Sequence, residues 1–232
     1  MAEKVPAVFN WSGGKDSTLA LHYILQQKQF DVRYLLTTIN EAFDRVAMHG
    51  LRTALLLEQV NVLQLPLLRV TLPEMPDMGI YEQLMNHSLR QLKAEGIRHS
   101  IFGDIFLADL RAYREKQLKE IGMEAIFPLW KRDSLELVKE FIDLGYRTIV
   151  VCAREGLQDF CGRVIDHSFL ADLPTDIDPC GENGEFHTFV FDGPIFSKPV
   201  QFELGEKVFK TFLNPDQSNI PSGYWYIDLV PV

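Results

Sequence analysis

An apolar run near the start of the chain is broken by two adjacent glycines and resumes at once as an amphipathic helix. Val8-Phe9-Asn10-Trp11 reads as the end of a strand, and from Ser17 onward Leu19, Leu21, Ile24 and Leu25 fall at helical spacing. Between them stands Ser12-Gly13-Gly14-Lys15-Asp16-Ser17. Paired glycines cost conformational entropy unless the backbone needs their freedom. A strand-to-helix turn needs it when something must come close to the helix start. There the first N–H groups have no intrahelical partner and the helix dipole is positive. Ser12 and Ser17 add hydroxyl donors and Lys15 a cation, so the stretch is suited to cradling phosphate. It is neither of the two common phosphate motifs. A P-loop needs a glycine where Phe9 stands and Ser or Thr where Asp16 follows Lys15. No Gly-x-Gly-x-x-Gly follows the strand either. Asp16 is an odd neighbour for a polyphosphate unless it meets Mg²⁺ or fixes the loop. The plainer alternative is that Asp16 or Ser17 merely caps the helix.

The rest of the chain alternates strand and helix. Strands are expected at Val5–Trp11, Asp31–Ile39, Leu67–Leu72, His99–Gly103 and Ala125–Phe127, with helices at Ser17–Lys28, Leu51–Leu63, Ile80–Glu95 and Leu107–Ile121. That pattern predicts a mostly parallel sheet covered by helices on both faces. Helix Ser134–Leu144 and strand Arg147–Cys152 continue it less clearly. Past Asp172 turn-formers dominate Pro174–Glu185, and β-rich segments follow at His187–Asp192, Val200–Leu204 and Tyr224–Val230. The reading is an α/β nucleotide-binding domain over 1–130 and a smaller α+β substrate domain over 131–232, a division that 232 residues allow.

In an open parallel sheet, ligands collect at the carboxyl ends of the strands. Asn10–Ser17, Thr37–Asp44 and Gly103-Asp104 each follow an expected strand and so share one rim. Thr38–Gly50 is polar and lacks a helical period. It is expected to be a loop over the nucleotide, with Met48 and His49 near the base or substrate, although His49 equally suits the start of the helix at Leu51. Asp104 is a candidate Mg²⁺ ligand or the cap of the next helix.

Composition narrows the partners. A net charge of −9 argues against a broad nucleic-acid surface. No apolar run approaches the roughly 20 residues of a membrane span, and Met1-Ala2-Glu3-Lys4 leads straight into a strand with no signal peptide visible. Cys152, Cys161 and Cys180 form no Cys-x-x-Cys pair, which suits reduced thiols and a cytoplasmic setting.

The hexapeptide Ser12–Ser17 resembles the PP-loop, Ser-Gly-Gly-x-Asp-Ser, of the N-type ATP pyrophosphatases. That resemblance implies a HUP-like sheet, a loop that takes the β,γ-phosphates of ATP, and cleavage between the α- and β-phosphates. "FGDIFLADLRAYRE" from Phe102, "PLWKRD" from Pro128 and "CGENGEFHTFVFDGPIF" from Cys180 narrow it further. In that order, over nearly the whole chain, they resemble the diphthine–ammonia ligase family. Gly181, Glu182, Gly184, Glu185, Phe186 and Thr188 match that family's Gly-Glu-Gly-Gly-Glu-Tyr/Phe-Glu-Thr signature, with Asn183 in place of a glycine and His187 in place of a glutamate. Arg111 and Glu115 also fit, whereas Leu107, Ala108, Asp109 and Leu110 stand where the ligases have Ser, Asp, Tyr and Gln.

The resemblance implies an AMP-forming amide ligase that uses ATP, Mg²⁺, ammonia and a carboxylate, either a small molecule or protein-borne. Ser12, Gly13, Gly14, Lys15, Asp16, Ser17, Met48, His49, Gly103 and Asp104 are the expected ATP contacts, with Asp16 and Asp104 as metal ligands. Asp16, Glu182, Glu185 and His187 are the expected catalytic groups. The two glutamates also fit an ordinary acidic turn. His187 is expected to titrate near neutrality as a proton acceptor, or to be a strand residue in the alternation His187, Phe189, Phe191. Two other readings stay open: an RNA sulfurtransferase, which needs one of the cysteines, and a non-catalytic ATP-binding module. A homodimer is also left open. His187 further suggests an acid other than diphthine, since a neutral or cationic imidazole is a poor partner for a fixed positive charge.

Overall fold

The computed structural model describes residues 3–46, 50–213 and 221–232. Its elements are β1 (Val5–Asn10), α1 (Lys15–Gln27), β2 (Phe30–Asn40), β3 (Arg45–Val46), α2 (Thr53–Leu63), β4 (Leu67–Leu72), α3 (Met78–Ala94), β5 (His99–Ile101), α4 (Ala108–Glu120) and β6 (Glu124–Ile126). Then follow α5 (Ser134–Asp143), β7 (Arg147–Arg154), α6 (His167–Asp172), β8 (Phe186–Asp192), β9 (Phe202–Leu213) and β10 (Pro221–Pro231). The sequence explains several of the boundaries. Asp77, Asp133 and Asp166 cap α3, α5 and α6 by accepting from the N–H of the residue three further on. Lys28 and Gln64 close α1 and α2 in the left-handed conformation.

Five strands form a parallel sheet in the order β4-β2-β1-β5-β6, with the short β3 lying antiparallel on the end of β2. In chain order this is third, second, first, fourth, fifth, so the winding reverses between β1 and β5. The fold is doubly wound α/β, as the alternation implied. Alternate residues of β1 feed two cores. Val8 joins Leu36, Leu89, Leu92 and Leu118 on the α3/α4 side. Ala7 and Phe9 join Leu21 and Leu55 on the α1/α2 side, and that core runs on without a break to Phe189 and Leu229 of the second sheet.

The second sheet is antiparallel, in the order β8-β7-β10-β9. Here the structure departs from the sequence reading. The strand at Arg147 does not extend the parallel sheet but forms the inner part of this antiparallel one. Thr148 to Ala153 are all buried, a continuous apolar run that normally signals a parallel strand. The Thr38–Gly50 segment is not irregular throughout. β2 runs to Asn40 and turns back through β3, and Arg45 and Arg52 both pair with Asp228 of β10, at 3.0 and 2.6 Å. The short helix α6 has no counterpart in the sequence reading, and the β9–β10 hairpin is longer than expected.

Candidate active site

The glycine loop sits at the carboxyl end of β1. Gly14 is the N-cap of α1 without any side-chain cap bond, so neither Asp16 nor Ser17 caps the helix; both lie in its first turn. The Thr18 N–H makes the first helical bond, to the Gly14 carbonyl at 3.1 Å, which leaves the N–H groups of Asp16 and Ser17 without an intrahelical acceptor. The Ser12 and Ser17 hydroxyls meet at 3.0 Å beside them, and Ser12 Oγ also accepts from the Gly14 N–H at 3.2 Å. The Ser17 hydroxyl also donates to the Gly14 carbonyl at 2.9 Å, so the donors left to face an anion are chiefly the Asp16 and Ser17 N–H groups.

The reason for the glycines differs from the one expected. Gly13 has φ +81°, and a Cβ there would lie 2.6 Å from Oε1 of Gln59. At Gly14 a Cβ would meet the backbone oxygen and the hydroxyl of Thr188, each at 3.2 Å. Both glycines therefore serve first to let the loop pack against α2 and β8. Gly103 does the same from the other side. A Cβ on it would lie 2.9 Å from the Ser17 nitrogen and 3.0 Å from the Asp16 carbonyl carbon.

Thr188, named in the sequence only as a signature match, and Gln59, not named there at all, hold the loop from the second sheet and from α2. The Thr188 hydroxyl accepts from the Lys15 N–H at 3.0 Å. Gln59, fully buried, donates to the carbonyls of Gly13 (3.0 Å) and Val190 (2.5 Å) and accepts from the Trp11 indole at 3.2 Å. The Val190 N–H in turn donates to the Gly13 carbonyl at 2.9 Å, so the outer edge of β8 is covered by the loop itself. A signal for Gln59 did exist. It shares the buried helical stripe of Leu55, Leu56 and Val62, where an unpartnered amide is costly.

Lys15 turns inward. Its ammonium is buried, pairs with Asp16 at 2.8 Å and donates to the Cys180 carbonyl. Burial pulls its pKa down, but Asp16, with Cys180 and Glu182, outweighs this and raises it above the ordinary lysine value. Glu182 arrives from the loop before β8 and accepts from the Ile105 N–H at 2.8 Å. Burial, helped by Asp16 and Asp104 and opposed by that N–H and Lys15, pushes its carboxyl up to about 7. Asp104 is bound by Arg114, with Nε 2.9 Å from Oδ2, and does not cap α4. Its pKa is raised, chiefly by burial against the pull of Arg114. Lys15, Asp16, Asp104 and Glu182 thus influence one another as a single charged group.

Glu185 stands apart from them. It is 2% exposed, and its Oε1 accepts from the Asp178 N–H and the Asn183 amide at 3.2 and 3.1 Å. Among the described residues its Oε2 has no hydrogen-bond partner. His187 is half-buried on β8, in register with Cys152. Side chains alternate along a strand, so it faces away from the side on which Thr188 meets the loop. The expectation of a histidine titrating near neutrality does not hold, because burial and then Lys15 lower its pKa to about 4. Met48 and His49 lie outside the described residues.

Among the described residues no group of three His, Cys, Asp or Glu side chains forms a metal cage. Mg²⁺ does not require one. It keeps several waters and commonly takes one or two carboxylates together with substrate phosphates. Asp16, 28% exposed, and Asp104 suit an ion that arrives with its nucleotide.

Fold and loop together define a PP-loop ATP pyrophosphatase-type α/β protein with a second sheet closing one side of its site. More narrowly, the chain belongs to the diphthamide synthase family, whose N-terminal domain matches residues 4–125 and whose C-terminal domain matches residues 133–214. It is similar to the diphthine–ammonia ligase of Danio rerio, 26% identical over 149 residues that make up 61% of this chain and 56% of that protein. The Schizosaccharomyces pombe enzyme of the same name is 26% identical over 104 residues, 42% of this chain and 17% of that protein. The Homo sapiens enzyme is 28% identical over 110 residues, 44% of this chain and 41% of that protein. The chain therefore spans about half or less of the length of these curated relatives. A U34-tRNA thiolase, NcsA from Methanococcus maripaludis, aligns with TM-score 0.38 and 20% identity over 61% of this chain and 57% of its own.

Proposed function

We propose that this protein is an AMP-forming ligase that couples ATP cleavage to the amidation of a carboxylate by ammonia. The observation that carries the reading is the anion-suited start of α1, held by Gly103 on one side and by Thr188 and Gln59 on the other, in a chain of this family. The Asp16 and Ser17 N–H groups are the donors for the β,γ-phosphates, joined by the Ser12 hydroxyl once it turns from Ser17 Oγ, whose own proton goes to the Gly14 carbonyl at 2.9 Å. Mg²⁺, held by Asp16 and Asp104, would neutralise polyphosphate charge as pyrophosphate leaves. The carboxylate attacks the α-phosphorus to give an acyl adenylate and pyrophosphate. Ammonia then attacks the acyl carbon, AMP leaves with the C–O electron pair, and nitrogen gives up a proton. Glu182, with its pKa near 7, is the group suited to take that proton.

The sulfur-transfer alternative lacks its nucleophile. All three thiols are buried, and burial pushes Cys152 up to about 12, Cys161 up to about 11 and Cys180 higher still, so none is a ready thiolate. As for the acid, the departures from the ligase signature at Asn183 and His187 favour a carboxylate other than diphthine, with a small molecule as the leading choice. The test is AMP and pyrophosphate release by the purified protein with ATP, Mg²⁺, ammonium and a panel of acids that includes diphthine-modified elongation factor. AMP is expected only when both an acid and ammonium are present. ADP as the product, or AMP only with RNA and sulfide, overturns the reading. Efficient amidation of diphthine overturns the substrate inference alone.

A further inference from the structure

A pocket of about 40 Å³ lies where the strand order reverses, between β1 and β5, on the α3/α4 face of the parallel sheet. Asn10, Tyr81, Glu82, Ser100, Tyr113 and Gln117 supply its polar wall. It adjoins the loop site through two residues. Asn10 ends β1, just ahead of Ser12, and Arg114, also in the wall, holds Asp104 on the rim at 2.9 Å. Open α/β sheets bind ligands at such a reversal point. The volume admits roughly three water-sized molecules.

Among the described residues no cation forms an ion pair with Glu82, the carboxylate of the wall. Glu82 Oε1 accepts from the Tyr113 hydroxyl at 3.0 Å and from the Gln117 amide at 3.2 Å, both uncharged donors. Neither bond engages Oε2. Tyr113 is pushed up to about 12, by burial first and then by Glu82, so it remains a donor that fixes the carboxylate. The Arg114 charge is committed to Asp104. Asn10 spends its amide N–H groups on Ser100 Oγ (2.8 Å) and the Ile101 carbonyl (2.9 Å), and its amide oxygen takes part in neither bond. The pocket thus offers one carboxylate without a paired cation, and neutral acceptors, in a volume of roughly three water-sized molecules. One carboxylate is also too few for a resident divalent ion.

We infer that this pocket binds ammonium, holding the nitrogen substrate beside the adenylation site. Its role in turnover rests on the ligase reading above, but the binding does not. Two measurements test it, using the full chain. The first compares thermal unfolding in ammonium, sodium and potassium chloride at equal ionic strength. Ammonium is expected to raise the midpoint above the other two, and Glu82→Gln to abolish the difference. The second is the ammonium KM for AMP release. Glu82→Gln is expected to raise it at least tenfold with the ATP KM unchanged, and Tyr113→Phe, which keeps the charge and serves if the first variant does not fold, to raise it several-fold. Equal midpoints in the three salts overturn the assignment, as does an unchanged ammonium KM in a folded, active Glu82→Gln. If the wild-type chain releases no AMP with ammonium, the ligase reading fails while the salt comparison still decides the pocket.

Discussion

Gln59 gives the sharpest test of how the loop is built. Gln59→Leu preserves the apolar stripe of α2 but removes hydrogen bonds of 3.0, 2.5 and 3.2 Å at a fully buried position. The Gly13 carbonyl keeps the Val190 N–H at 2.9 Å, so it is not stranded. The Val190 carbonyl and the Trp11 indole N–H both lose the partner that Gln59 supplied. Each buried polar group left in that state costs about 1–3 kcal/mol, so the expected loss is about 2–6 kcal/mol. That is a large part of a typical domain's stability. Urea unfolding followed by tryptophan fluorescence measures it, and calorimetry with ATP measures the consequence, a weaker nucleotide affinity as Gly13 loosens. Gln59→Glu sharpens the test. Its ionised carboxylate would face two carbonyls, whereas the protonated form restores one donor, so its defect should shrink as pH falls. A loss below about 1 kcal/mol in Gln59→Leu, with unchanged ATP affinity, would refute the clamp.

Gly103→Ala puts a Cβ 2.9 Å from backbone that cannot rotate away, so α1 must shift; about 1–3 kcal/mol of stability and at least tenfold in ATP affinity are expected to go, read by urea midpoint and calorimetry. Glu182 binds its proton more tightly when folded, so its stabilising contribution is complete below about 4.5 and is lost as pH rises through about 7. Urea midpoints of Glu182→Gln should lack that decline, worth up to about 3 kcal/mol, and its AMP-release profile should lack a limb near 7. His187 has the opposite sign: its contribution is present above about 6.5 and is lost as pH falls through about 4, so His187→Gln should lose less stability on acidification. Replacing Cys161 by Ala should leave AMP release largely intact apart from a modest packing loss, and abolition of turnover in the folded variant would revive the sulfur-transfer reading.

The parallel half of the fold was legible because periodicity and turn chemistry agree there. β4 falls on the residues expected, Leu67–Leu72, and α2 shares its last residue, Leu63, with the expected helix. The second sheet was legible only as β-rich texture. β7 misled because burial on both faces erases the alternation that marks an antiparallel strand, and sequence order says nothing of its pairing with β8 and β10. Within the loop, the spacing Ser12–Ser17 placed the glycine turn at the end of β1 but not the direction of Lys15. The sequence places a cation beside two glycines, and only the fold shows its ammonium turned to Asp16 and the Cys180 carbonyl. Thr188 and Gln59 lie far from the loop along the chain, and their hydrogen bonds to it are products of tertiary structure.

Those contacts bear on what the two sequence domains mean. The N-terminal match ends at residue 125 and the C-terminal one begins at residue 133, yet the loop that defines the site is completed from both. The Gly13 carbonyl is shared between Gln59 of the first part and Val190 of the second, and the Lys15 N–H and ammonium are received by Thr188 and the Cys180 carbonyl. Glu182, from the second part, accepts from the Ile105 N–H of the first. A loop of glycines is entropically expensive to order, and here four of the bonds that order it come from elements distant along the chain: Gln59 and Val190 to the Gly13 carbonyl, and Lys15 to Thr188 and the Cys180 carbonyl. The unbroken core from Phe9 to Phe189 and Leu229 points the same way. The loop's conformation, and with it the proposed anion site, is therefore a property of the docked pair of sheets. Substitutions in β8 that touch no ligand are expected to act on the nucleotide loop through its hydrogen bonds; of the two departures from the signature, His187 lies in that strand and Asn183 in the turn just before it.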